Sequence, residues 1–358
     1  MTNNLKVCVI GGGIFGLTAA IFLSKYSNEI KIFDKNQFIL SGATKFNHNR
    51  HHFGFHYPRS IDTALQCISA KKDFDKFYSN SIDYGFNNFY AISNINSKIT
   101  YDEFENFCEK TSLQFKTIQS PKNIFNSNLI SKCYTVKEGV YNIDKIRLIL
   151  SKRIKNFKNI KIINKVKVSG YVDQDKSIEY VKSNKLIKEN FDIIINATYD
   201  SINNHIFKDK IEMEYNLQEM CKLKIKNERF GSTILDGEFP SILPVANKKN
   251  EYLFAHVKHS QLVKMKSKKI PKKIYNKNIP SQINITFKKS KKFLKILEKA
   301  ELLGSFRVIR AVNIDQKTDS RKSEIIHHSN GNITIFSGKI ITVETIGKQI
   351  SSLVKKSY

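Results

Sequence analysis

The order of the first thirty-five residues constrains this chain most. Lys6-Val7-Cys8-Val9-Ile10 is a short apolar run rich in β-branched residues, the pattern of a strand buried on both faces. Gly11-Gly12-Gly13-Ile14-Phe15-Gly16 follows at once, and Leu17–Lys25 has helical character. Glu29-Ile30-Lys31-Ile32-Phe33 then reads as a second strand, with Asp34 and Lys35 at its end. A lone G-x-G-x-x-G is a weak signal. Here the strand before it, the helix it opens and the acid after it make a dinucleotide fingerprint. Gly11 permits the tight turn, Gly13 lets backbone approach a pyrophosphate, and Gly16 lets the helix pack close to the strand. Ile14 and Phe15 complete the loop. The helix N-terminus offers unpaired N–H groups and the positive end of a dipole to phosphates. Asp34 stands where a ribose is held, and an acid there favours a 2′-hydroxyl over a 2′-phosphate. Placement of the unit at the start of the sequence favours FAD over NAD.

In a plain NAD domain a third strand and helix should follow soon. Instead Gly42-Ala43-Thr44 forms a small-residue turn, and a dense polar and aromatic stretch runs from Lys45 to Ser60. Small residues let a second phosphate or a flavin ring lie close to backbone. With Asn47 and Gly54-Phe55-His56-Tyr57 added, the chain resembles the FAD-dependent oxidoreductases of the D-amino-acid oxidase and glycine oxidase (DAO) family. The likeness continues through Val140–Asp144, which opens a helix over Lys145–Ile154, and through Ile160–Val168, where Val166 would contact the adenine side. It extends to Phe191–Thr198, where Ala197 and Thr198 match an Ala-Thr-Gly element. At the C-terminal end a strand, Ile333–Phe336, a turn, Ser337-Gly338-Lys339-Ile340, and a helix, Thr342–Lys355, would return to the flavin. There Lys339 and the helix N-terminus would stabilise negative charge on the reduced ring. Two departures stand out: Tyr199 replaces the Gly of Ala-Thr-Gly, and Thr318–Glu324 lacks a proline found in relatives.

The resemblance implies an α/β fold: an FAD-binding Rossmann-like (GR2-type) domain and a second, mixed or antiparallel-sheet substrate domain. The cofactor domain is expected to be discontinuous, over 1–75, 138–205 and 312–358, with the substrate domain over 76–137 and 206–311. Within the latter, Phe89–Ser93, Lys222–Ile225, Tyr252–Val257 and Ser281–Phe287 alternate in the strand manner. Tyr101–Thr111 reads as a helix, and Lys288–Leu303 as an amphipathic basic helix on the outside of the protein or against a membrane surface.

Flavin enzymes leave the hard step to the isoalloxazine, and the protein positions substrate and tunes charge. Oxidation next to an amine or alcohol needs a base for the N–H or O–H proton. His51, His52, His56 and Tyr57 are the candidates, since imidazole titrates near neutral pH. Four of the nine histidines fall within residues 48–56. Some relatives attach flavin covalently through a His near this turn, a role open to His48 or His51. No acid lies among these histidines, so no metal site is expected. In the family that the chain resembles, an Arg in this region can clamp the substrate carboxylate, a task suited to a bidentate guanidinium, and Arg310 is the candidate here. Arg50 and Arg59 are alternatives. An ion pair of Arg310 with Asp315, Asp319 or Glu324 is the purely structural reading.

The 358 residues suit two intertwined domains. The net charge of +28 raises the question of nucleic acid, yet only 8 of the 60 basic residues are Arg, the side chain preferred for phosphate and base contacts. A solvated, lysine-rich surface is expected instead, with no nucleic-acid partner. Five widely spaced cysteines, none in C-x-x-C, read as free thiols of a reducing compartment. No apolar run approaches the roughly 20 residues of a membrane helix, and no signal peptide is apparent. A cytoplasmic enzyme is therefore expected: an FAD-dependent oxidoreductase acting on a C–N or C–O bond of a small, anionic substrate. An amino acid, an N-methyl amino acid, a 2-hydroxy acid or an amino-sugar-like molecule fits, and the electron acceptor is open. The alternatives are a redox-neutral, mutase-like flavin enzyme and a non-catalytic flavin- or nucleotide-binding protein with an anionic partner.

Overall fold

The computed structural model describes residues 4–172, 176–205, 210–312 and 320–357. Leu5–Ile10 lies at the centre of a six-stranded sheet, flanked by Ser27–Asp34 on one side and Ile193–Asn196 on the other, both parallel to it. Ile160–Asn164 extends one edge in parallel, Ile333–Phe336 the other, and Glu324–His327 closes that edge antiparallel. Alternate residues of the central strand serve two cores. Val7 and Val9 pack with the helices Ile14–Leu23, Ile143–Lys155 and Val343–Ser357. Cys8 and Ile10 face a three-stranded antiparallel layer built from Val168–Val172, Ser177–Lys182 and Lys185–Asn190. Phe33 joins that second core, its ring 4.8 Å from Tyr180. Burial on both faces explains the unbroken apolar runs of the parallel strands. Helix Ile61–Tyr78 adds Cys67, Phe74 and Tyr78 to the first core.

The second large sheet has nine strands. Met213–Lys224 pairs from Glu214 onward with Glu301–Val312, and on its other side first with Gln261–Ser267 and then with Glu251–His256. Pro240–Pro244, Phe230–Leu235, Asn87–Ser93, Ile130–Val136 and Phe115–Ile118 continue the sheet. All contacts in it are antiparallel except Phe230–Leu235 on Asn87–Ser93. Helix Tyr101–Lys110 begins with a reciprocal cap between Thr100 and Glu103 and buries Phe104 and Phe107.

Two expectations are corrected. Ser281–Phe287 is not a strand, because Ile283–Lys291 is a helix. Ile283, Ile285 and Phe287 fit a period of two, but the i, i+4 pair Ile283 and Phe287 packs on the core while Ile285 is 50% exposed. Lys288–Leu303 is not one helix either. The chain leaves the helix after Lys291, buries Phe293, Leu294, Ile296 and Leu297, and enters the strand Glu301–Val312. Pairing with a twelve-residue partner outweighs the local helical pattern here. The short strand read at Lys222–Ile225 is the end of that longer partner, Met213–Lys224.

Candidate active site

A cavity of about 1420 Å³ opens between the glycine loop and one face of the nine-stranded sheet. That exceeds the roughly 300–1,000 Å³ of an ordinary small-molecule pocket, so it has room for a large cofactor and a substrate together. Every candidate cofactor residue lines it except Gly16. A Cβ at Gly16 would stand 2.0 Å from the Gly11 carbonyl oxygen, which makes this glycine a packing residue, as the fingerprint requires.

The cradle suits a dinucleotide. Gly13 ends in extended conformation at the helix N-terminus, and no side chain caps the first turn. The orphan N–H groups there are available to phosphate. A Cβ at Gly13 or Gly42 would meet no atom closer than 3.9 Å, so a ligand can approach backbone directly at both positions. Asp34 is buried beneath the loop. Its Oδ2 accepts from Gly12 N at 2.7 Å and its Oδ1 from Asn36 N at 2.7 Å. Each oxygen keeps a further lone pair for a ribose hydroxyl. Asn47 pins the small-residue turn by donating to the carbonyls of Ala43 at 3.0 Å and Thr44 at 2.9 Å. Lys35, Val166, Ala197 and Thr198 complete this end, and the Val166 N–H donates to Asp34 O at 3.0 Å.

At the C-terminal turn, a Cβ on Gly338 would fall 2.1 Å from Arg321 O, so only glycine fits. Ser323 Oγ accepts from Gly338 N at 2.8 Å and from Lys339 N at 3.2 Å. Ser323 lies in the proline-free segment, and its hydroxyl ties down the turn. Tyr199, the other departure, adopts φ +58°, the left-handed conformation that glycine takes without penalty. Its hydroxyl accepts from Ala311 N at 3.3 Å, anchoring the glycine-type turn to the nine-stranded sheet.

The histidines divide. His51 does not line the cavity. It is fully buried, accepts or donates at Nδ1 to Tyr141 OH at 2.9 Å, and is packed by Phe53, Phe74, Tyr84 and Tyr141. This is the setting of a core residue, and it separates His51 from the other candidates. His52, His56 and Tyr57 do line the cavity, with ring centres 5.4–5.7 Å apart. His48 lines it too, beside Ser241. His52 Nδ1 and His56 Nδ1 are buried and have no partner among the described residues. Burial, reinforced by the Lys339 and Arg50 charges, holds both imidazoles well below their ordinary pKa, so they are neutral at pH 7.

Cations surround these imidazoles. Arg50 is buried, donates to Thr233 Oγ1 at 2.6 Å and Glu138 Oε2 at 3.3 Å, and also bonds Tyr90 OH. Lys339 lies over the Tyr57 ring, and burial together with Arg50 lowers its pKa to about 7. Arg310 reaches the cavity from Glu301–Val312 and donates to Gln218 Oε1 at 3.1 Å. Of its suggested acidic partners, Asp315 and Asp319 lie outside the described residues. Arg59 is ion-paired with Asp236. Glu214, Asn216 and Gln218, which sequence reasoning missed, also line the cavity. Their i, i+2, i+4 spacing was the available signal. The five cysteines are buried free thiols, no group of three or more potential ligands forms a metal site among the described residues, and no described helix is long and apolar enough to cross a membrane.

A family model described as FAD dependent oxidoreductase (DAO) matches residues 6–198. L-α-glycerophosphate oxidase of Mycoplasma pneumoniae, solved with FAD bound, superposes with a TM-score of 0.74 at 14% identity, covering 98% of this chain and 94% of that one. Glycine oxidase of Geobacillus kaustophilus gives 0.73 at 11% identity, covering 99% and 95%. Among curated proteins, an FAD-dependent monooxygenase, FPY4, of Fusarium mangiferae is 24% identical over 68% of this chain and 61% of its own length. The FAD-dependent monooxygenase kojA of Aspergillus flavus is 24% identical over 72% and 63%. The chain thus spans under two thirds of the length of these curated relatives.

Proposed function

The chain belongs to the DAO family of FAD dependent oxidoreductases, and on that premise we propose that it binds FAD and oxidises a C–N or C–O bond beside a carboxylate. The observation that carries this reading is a pair of neutral, buried histidines, His52 and His56, set among Lys339, Arg50 and Arg310 in the cavity that the glycine loop opens into. When bound, FAD supplies the hydride acceptor. The chain's own residues do the rest. Gly11–Gly16, Asp34 and the Gly42–Thr44 turn hold the dinucleotide. Arg310 binds the substrate carboxylate. His52 Nδ1 or His56 Nδ1 accepts the O–H or N–H proton as the adjacent C–H leaves with its electron pair, so the product carries a C=O or C=N bond. Lys339 and Arg50 oppose the negative charge gained on the acceptor side.

Both rings lie beside Tyr57, and His52 is taken as the base because Lys339 is the charge that acts on it most strongly, whereas Arg50 is the first charge acting on His56, which sets His52 nearer the turn proposed to meet the flavin. The division into a cofactor domain, 1–75, 138–205 and 312–358, and a substrate domain, 76–137 and 206–311, is part of the same proposal. It is supported by the six-stranded sheet, whose strands come from residues 5–34, 160–196 and 324–336. Anaerobic mixing of the holoprotein with amino acids, N-methyl amino acids and 2-hydroxy acids tests the reading. Bleaching of the flavin by one class supports it, and a flavin that no such compound reduces counts against it.

A further inference from the structure

Ligand cavities are mostly apolar, with a few polar groups for orientation. One wall of this cavity is different. Glu214, Asn216 and Gln218, alternate residues of Met213–Lys224, all line it and all are buried. The register sets Arg310 opposite Asn216 on one neighbouring strand and Lys264 opposite it on the other. Directly opposed residues share a face, and both of these also line the cavity. Arg310 donates to Gln218, and Lys264 is ion-paired with Glu214 at 3.2 Å. Asn216 stands between them with its carboxamide oxygen buried and without a partner among the described residues. A buried acceptor left without a donor costs about 1–3 kcal/mol, so this wall suits a ligand that brings one. Cations on both sides disfavour an ammonium donor and favour a neutral one, such as a hydroxyl.

The wall is also long. Glu214 to Gln218 spans about 14 Å of strand, well beyond a simple amino or hydroxy acid. It begins near the histidine loop, residues 48–56, because Met220, the next residue on the same face, shares an apolar cluster with Phe46. We infer that the substrate is a sugar-acid-like molecule, held by its carboxylate at Arg310 and by a hydroxyl-bearing tail along Gln218, Asn216 and the Glu214–Lys264 pair. This rests on the oxidoreductase reading above and narrows it.

The test is anaerobic titration of the holoprotein, following the absorbance change of bound flavin, with gluconate and galactonate against lactate and glycolate. The sugar acids are expected to bind at least about tenfold more tightly. Asn216→Leu should lower that ratio by about tenfold, and the milder Asn216→Thr should lower it less, with flavin content as the check on folding. Equal or reversed affinities in the unmodified protein, no binding of either class, or a ratio unmoved in both variants would overturn the inference. The two claims separate cleanly. Sugar acids that bind with the expected preference but never reduce the flavin sink the oxidation reading alone. Short acids that reduce it and bind as tightly sink the sugar-acid subsite alone.

Discussion

The Lys339 ammonium nitrogen lies 4.4 Å from the centre of the Tyr57 ring, and both residues line the cavity beside His52. The lysine comes from the C-terminal turn and the tyrosine from the histidine loop, so the contact joins the two segments proposed to enclose the flavin. Lys339→Met should keep FAD but slow its reduction by about 10²-fold, the usual scale for losing one preorganised stabiliser of developing charge. Stopped-flow reduction under anaerobic conditions measures this. The unmodified protein should lose rate as rising pH deprotonates Lys339, and the variant should lack that limb.

Asp34 has two structural bonds as well as its proposed ribose contact. Asp34→Ala removes the acceptor for Gly12 N and Asn36 N along with the ribose partner. FAD affinity should fall by about 10–100-fold, measured by fluorescence titration of the flavin-free protein. An unchanged dissociation constant would show that Asp34 serves the loop and not the cofactor.

Tyr199 holds a left-handed backbone that a non-glycine residue adopts at a cost of roughly 1–2 kcal/mol. Tyr199→Ala keeps that cost and loses the bond from Ala311 N. Tyr199→Gly loses the bond but removes the strain. The glycine variant should therefore be more stable than the alanine variant by about 1 kcal/mol in denaturant unfolding. The reverse order would show that the tyrosine is not strained.

Acid should destabilise the flavin-free protein. Burial lowers His48 and His51 to about 3, and His205 and His256 to about 4. Below about pH 6.5 the unfolded chain takes up protons at these positions and the folded chain does not. Stability therefore falls as pH falls, by up to about 1.4 kcal/mol per pH unit for each histidine that stays neutral. Stability is retained above pH 6.5 and is lost down to the folded pKa values. Chemical denaturation between pH 7 and pH 5 reads this out, and His51→Phe should flatten the slope.

Much of the lining at the glycine-loop end of the cavity was legible because its constraints are local. Gly11, Gly13, Gly16 and Asp34 lie within one βαβ unit, where spacing alone dictates what each must do. Gly42–Thr44 and Gly338 were legible through resemblance. His51 was not separable from His52 by sequence, since neighbouring loop residues face opposite ways and only packing decides which meets the cavity. Ser281–Phe287 misled because a short apolar pattern fits both periods, and the sheet beneath it selected the helix. The polar wall was missed for a related reason. Glu214, Asn216 and Gln218 look like a solvated alternation until Arg310 and Lys264 are brought beside them from distant strands.

The most direct test of the central claim compares the visible spectrum of the purified protein with that of His52→Ala, each before and after anaerobic addition of a reducing acid substrate. FAD should be bound to both proteins, the flavin should bleach in the unmodified protein, and bleaching should be slowed by at least about 10²-fold in the variant. A protein that refuses FAD, or a His52→Ala variant that bleaches at the unmodified rate, would contradict it.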